Sequence, residues 1–141
     1  MQHDNGYVLA FDYGLKNIGV AIGQALSHSA RPLQALKARD GVPDWKLVSA
    51  LLDEWKPSRV LVGLPLNMDG TDSDMSARAR KFGNRLHGRY GVQVSMVDER
   101  LSTREAKEIA LSQGHRGNYG ERPIDSLAAS VLIEDWWNQG H

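Results

Sequence analysis

The sequence predicts a mixed α/β fold: three antiparallel strands, then two parallel strands reached through helices, in the sheet order 3-2-1-4-5. Three observations predict it. Tyr7–Phe11 and Ile18–Ile22 are apolar at every position and flank a few turn-forming residues, the pattern of a β-hairpin. Unbroken apolar runs of this kind suit strands covered on both faces. Arg59–Leu64 and Val92–Val97 follow as further strands, each preceded by a helical stripe. Right-handed crossovers then set these two beside the first strand and parallel to it.

Each element has a local reason. Ser27–Leu36 is polar and contains Pro32, which lacks a ladder donor, so a third strand there belongs at the sheet edge. Pro43 suits the first turn of a helix in which Leu47, Val48, Leu51, Leu52 and Trp55 form the stripe, and Pro57 stops it. Met75, Ala79, Phe82 and Leu86 share a face of the next helix, which Gly91 breaks. Ser102 and Glu105 have the spacing of a capping box, opening a helix to about Gln113. Gly114–Gly120 is the most glycine-rich stretch and reads as a loop. Pro123 opens the last helix, with Ile124, Leu127, Ala128, Val131, Leu132 and Trp136 on its inner stripe and a loose tail from Trp137.

Composition narrows the function classes. A chain of 141 residues fits one domain with a single core, with 1–6 and 138–141 as loose ends. Seventeen basic and 17 acidic residues give a net charge of zero, which argues against a protein that coats nucleic acid without selectivity but allows a local basic patch. There is no cysteine, so neither a disulfide framework nor a thiolate site exists; this suits the cytoplasm. No apolar run reaches the length of a membrane span, and the polar N-terminus lacks a signal-peptide pattern.

In sheets of this topology ligands bind where the parallel strands end. Asp12 ends the first strand, the Pro65 loop follows the fourth, and Asp98-Glu99 closes the fifth. Adjacent strands lie about 4.8 Å apart, so ends two strands apart face each other across roughly 10 Å. Asp125, in the first turn of the last helix, offers a third carboxylate. Such oxygen ligands suit Mg²⁺ or Mn²⁺, and metal-assisted phosphodiester hydrolysis needs a cluster of this kind. Each acid also has a plainer reading. Asp12 accepts turn amides, Glu99 is a surface charge, and Asp125 complements the helix dipole. Lys16, Asn17, Asn67 and Arg100 surround the expected rim and are candidates to hold phosphate oxygens. Arg78, Lys81, Arg85 and Arg89 fall on one flank of their helix, either as a solvated face or as a track for phosphates.

These residues carry a resemblance. Phe11-Asp12-Tyr13-Gly14 with Asn17–Ala21, Gly63–Asn67 with Asp69-Gly70, Asp98–Thr103 and Ile124–Ala129 resemble the YqgF/RuvX family over about Val8 to Trp136. The resemblance implies an RNase H-like sheet with helices on both faces and metal-dependent nuclease chemistry. It implies processing of the 5′ end of precursor 16S rRNA, and a kinship with Holliday-junction resolvases of the RuvC type. Asp12, Glu99 and Asp125 fall on the family's proposed catalytic acids. The stretch before Asp125, often lysine-rich in the family, is here Gly120-Glu121-Arg122-Pro123. After Asp125 the last helix offers no acid until Glu134.

The expected partner is therefore nucleic acid, a ribosomal RNA or subunit precursor ahead of a DNA junction. No membrane partner is expected, and the expected state is a monomer or weak homodimer. Two other classes compete: a ribosome-assembly factor that binds without cutting, and a nucleotide-binding protein. The second is suggested by Asp12-Tyr13-Gly14 with Gly19-Val20-Ala21, which resembles the phosphate loop of sugar kinases and actin-like ATPases. Those close two lobes over a nucleotide, and this chain has length for one.

Overall fold

β1 (Tyr7–Asp12) and β2 (Asn17–Gln24) form the expected hairpin, paired antiparallel from Tyr7 opposite Gln24 to Asp12 opposite Gly19. The computed structural model of the chain describes residues 6–98 and 124–139, with the backbone alone at 124 and 125. The remaining elements are β3 (Ser29–Arg39), β4 (Val42–Pro43), α1 (Trp45–Trp55), β5 (Arg59–Leu64), α2 (Asp74–Tyr90), β6 (Val94–Asp98) and α3 (Ile124–Asn138). The strand order is β4-β3-β2-β1-β5-β6. Five of these strands reproduce the order expected from the sequence, and β5 and β6 run parallel to β1.

The sixth strand is a correction. Val42 and Pro43 fold back on Ala38 and Arg39 as a short antiparallel edge, where the sequence pattern had placed Pro43 in a helix. The helix starts two residues later, because the Asp44 carboxylate accepts the Lys46 amide at 3.0 Å and serves as N-cap. Lys56 ends it in the left-handed region at φ 45°. Pro32 pairs with Ala21 of β2, on a part of β3 that β4 does not reach, as a missing donor requires.

Alternation along the strands builds two unequal cores. Leu9, Phe11, Ile18, Val20, Val60 and Val62 face α1 and α2, meeting Val48, Leu52, Phe82 and Leu86. Phe11 and Phe82 touch edge to face at 5.5 Å between centroids. Val8, Ala10, Ala21, Leu61 and Val97 face α3, meeting Ala129, Leu132, Ile133 and Trp137. The sheet is thus covered on both sides, as continuous apolar strands demand.

Helix α3 is apolar nearly all round. Ala128, Ala129, Val131, Leu132 and Ile133 are all buried, while Leu127 and Trp136 from the expected stripe are only half covered. Trp137, expected in a loose tail, is buried and stacks on His28 at 4.7 Å. Gly23 permits that approach, since a Cβ there would stand 2.7 Å from Ile133 Cγ2. No helix among the described residues is long and apolar enough to cross a membrane. The helix expected over Ser102–Gln113 and the loop over Gly114–Gly120 lie outside the described residues.

Candidate functional site

The rim of the sheet where β1, β5 and β6 end is set by register. Phe11 pairs with Val62, and Val62 with Met96, so Asp12 stands level with Gly63 and Val97. Asp12 is half-buried and follows Val8 and Ala10 onto the α3 face of the sheet. Asp98, the last described residue of β6, pairs with Leu64 and follows Met96 onto the opposite face. Asp98 therefore shares the rim with Asp12 but not its side. Glu99 and Arg100 lie outside the described residues.

Ser126 brings the start of α3 to this rim. Its side chain is fully buried, and its Oγ accepts the Val20 amide of β2 at 3.2 Å. Val20 pairs with Phe11, immediately before the Asp12–Gly19 pair. The register between β2 and β3 shifts at the same place, between Ile18 and Val20. A hydrogen bond across 106 residues of sequence thus ties the start of α3, one residue after Asp125, to the strand that pairs with the end of β1. Sequence patterning assigns Ser126 no role of its own; its signal is a small polar residue within the Ile124–Ala129 stretch.

The β1–β2 turn that carries Lys16 and Asn17 is stitched to the corner after β3. Ala38 N–H donates to the Lys16 carbonyl at 2.8 Å, Gly41 N–H to that of Leu15 at 2.9 Å, and Tyr13 Oη–H to that of Gly41 at 2.9 Å. A Cβ on Gly14 would collide with the Asn17 carbonyl oxygen, so glycine is required for this turn to close. Lys16 and Asn17 are both exposed at the Asp12 end of the hairpin. Asn17 pairs with Lys37 across to β3.

Asn67 occupies the loop after β5, but its amide works inside that loop. Nδ2 donates to Thr71 Oγ1 at 3.0 Å and to the Asp72 carbonyl at 3.2 Å, while Thr71 Oγ1 donates to Asp69 Oδ1 at 2.6 Å. The loop hands over to α2 through a reciprocal capping box of Ser73 and Ser76. Ser76 Oγ and Arg80 Nε both donate to the Asp72 carboxylate, at 3.0 and 3.1 Å, and hold its pKa below the ordinary value.

The basic flank of α2 lies on the other face of the sheet from Asp12. Arg78, Lys81, Arg85 and Arg89 are all exposed. Arg78 meets Asp40 at 3.4 Å and Arg89 covers the Trp45 ring at 4.3 Å, so this flank looks toward α1 and the β3–β4 corner. Arg78 is one turn from the rim, and Arg89 lies about 16 Å further down the helix. A surface cleft of about 430 Å³, lined by Arg80, Asn84, His87 and Met96, also opens on the α2 side.

The rim therefore gathers the end of β1 with Asp12, the end of β6 and the start of α3, with amide and ammonium donors at the hairpin turn. Among the described residues no group of three acidic or imidazole side chains is close enough to hold a metal ion; two of the three expected carboxylates fall outside that set.

Comparison with known proteins places this arrangement. The family model described as "RuvX: Holliday junction resolvase" matches residues 6–139. A protein of Saccharophagus degradans named "Putative pre-16S rRNA nuclease" is 54% identical over 94% of this chain and 93% of its own. A protein of Escherichia coli O157:H7 with the same name is 53% identical over 97% of this chain and 99% of its own. Among solved structures, Thermus thermophilus RuvC in complex with a Holliday junction substrate superposes with a TM-score of 0.56 at 21% identity, covering 98% of this chain and 97% of that one. The yeast mitochondrial Holliday junction resolvase Ydc2 gives 0.54 at 14% identity, covering 97% and 79%. At these identities the structures speak for the fold, which is that of the RNase H-like resolvases.

Proposed function

The chain belongs to the RuvX family, and from that premise we propose that it is a metal-dependent endonuclease that trims the 5′ end of precursor 16S rRNA in the cytoplasm. What supports the reading is the likeness to pre-16S rRNA nucleases along nearly the whole chain, together with the Ser126–Val20 hydrogen bond, which ties the start of α3 to the strand that pairs with the end of β1. Glu99 follows Asp98 in sequence and lies outside the described residues.

Asp12, Glu99 and Asp125 would hold Mg²⁺ or Mn²⁺ at this rim; their carboxylate oxygens are the hard donors that these ions take. When bound, the metal supplies an acidified water and a Lewis acid for the leaving oxygen. The chain's own part is to present Asp12 at the end of a central strand and to steady the phosphodiester. Lys16 and Asn17 stand at the hairpin turn for that purpose, and Arg100 follows Glu99 in sequence. Asn67 serves by keeping the neighbouring loop in shape.

Asp12→Asn is the direct test. It should abolish Mg²⁺- or Mn²⁺-dependent cleavage of a structured RNA with the melting temperature kept, and unchanged cleavage by the pure variant removes Asp12 from the mechanism. The resolvase-like fold and the description of the family model favour one second reading, resolution of four-way DNA junctions by the same chemistry. Parallel cleavage of a precursor-like RNA and a four-way junction separates the two.

A further inference from the structure

The sheet register exposes a basic group that no sequence pattern joins to the rim. Lys37 pairs directly with Asn17, and Arg39 lies two residues further along β3. Leu36 and Ala38 face the α2 core, so Lys37 and Arg39 face the α3 side, the side of Asp12. Both are exposed. Ala38 N–H bonds to the Lys16 carbonyl, which sets Lys16 against the same pair of residues. Three cations thus cluster at one end of the hairpin in a chain whose net charge is zero.

These cations differ from the other basic groups near the rim. Arg78 is paired with Asp40 and Arg80 with Asp72, whereas Lys16, Lys37 and Arg39 take part in no ion pair among the described residues. Asp40, the nearest acid in sequence, turns toward Arg78.

We propose that Lys37 and Arg39, with Lys16 and Asn17, form a subsite for the sugar–phosphate backbone of the nucleic acid, a few nucleotides from the bond that is cut. The spacing fits. Lys37 is two strands from β1 and two residues past the level of Asp12, about 12 Å away, and Arg39 is about 17 Å away. At these separations neither side chain reaches Asp12 itself, so the pair is assigned to backbone flanking the cut. The subsite extends away from the α2 flank, across the ends of β2 and β3.

The proposal rests on the nuclease reading for its meaning, but it is tested without cleavage. The probe is a hairpin RNA with a single-stranded 5′ extension, titrated in EDTA at several salt concentrations, with a four-way DNA junction in a parallel arm. Each lost phosphate contact lowers the salt slope by about 0.7–0.9. Lys37→Gln/Arg39→Gln should weaken RNA binding about tenfold or more near 0.1 M salt and cut the slope by nearly two contacts. Its melting temperature should stay that of the wild type. Lys46→Gln, which removes an exposed cation from α1, should leave affinity and slope alone. A double variant that binds both probes with the wild-type affinity and slope overturns the subsite. So does one whose loss is matched by Lys46→Gln. A loss of binding in EDTA, together with no cleavage of either probe by the wild-type protein in Mg²⁺ or Mn²⁺, keeps the subsite and removes the nuclease reading.

Discussion

Ser126→Ala tests the join on which the site depends. The Ser126 hydroxyl is fully buried and accepts the Val20 amide at 3.2 Å, so alanine leaves a buried backbone donor without its acceptor. That costs about 1–3 kcal/mol. Alanine returns about 0.5 kcal/mol of helix propensity, for a net loss of about 0.5–2.5 kcal/mol. For a chain of 141 residues the unfolding entropy converts this to a fall in Tm of about 2–8 °C. Ser130→Ala is the control, because Ser130 Oγ donates at 2.8 Å to the Leu127 carbonyl of its own helix; it should be neutral within about 0.5 kcal/mol. Urea melts give the stability of both variants, and cleavage is measured well below either transition. Ser126→Ala should lose activity under conditions where it is fully folded, since the start of α3 is no longer tied to β2, and Ser130→Ala should not. If Ser126→Ala melts with Ser130→Ala and cuts as fast, the hydrogen bond neither holds the helix nor places Asp125.

Three further outcomes follow from the packing. Gly23→Ala puts a methyl group 2.7 Å from Ile133 Cγ2 and 3.0 Å from Trp137 Cη2, so denaturant titration should show a loss of about 1–3 kcal/mol. Gly41→Ala forces a side chain at φ 81° against the Tyr13 hydroxyl and should cost about 1–2 kcal/mol, with part recovered in the Gly41→Ala/Tyr13→Phe double variant. The lowered pKa of Asp72 arises first from the Ser76 hydrogen bond and then from Arg80. Its contribution is therefore complete above the ordinary value of 3.8 and lost as pH falls through the lower folded value. The stability gap between wild type and Asp72→Asn should accordingly be flat from neutral pH to about 5 and close below about 4, with amide exchange at the start of α2 as the local readout.

The hairpin, the two crossovers and the strand order were legible because each rests on a long apolar run whose period is unambiguous. β4 was not legible: two residues, one of them proline, carry no period, and only the turn at Gly41 returns them to β3. The position of Asp12 at a rim could be read from where its strand stops. The partners of that rim could not. Lys37 meets Asn17 because an irregularity between Ile18 and Val20 resets the pairing, and such a shift has no linear signature. Asn67 sits where the sequence suggested, yet its amide is committed to Thr71 and Asp72, which a reading of residue types does not reveal. The flank from Arg78 to Arg89 was correctly seen as one stripe, but which side of the sheet its helix covers is a tertiary fact.

The two coverings of the sheet respond differently to mutation. Between the sheet and α1 and α2 pack Phe11, Phe82, Trp45 and Tyr90, large groups that can shift against one another when a neighbour changes size. Between the sheet and α3 lie Ala10, Ala21, Gly23 and the helix's own Ala129, which leave that helix no slack. An enlarged residue there lifts α3 and carries Asp125 off with it while the protein still melts cooperatively. Selection for heat tolerance alone should therefore gather its substitutions under α1 and α2, and selection that also demands cutting should keep the alanine floor unaltered.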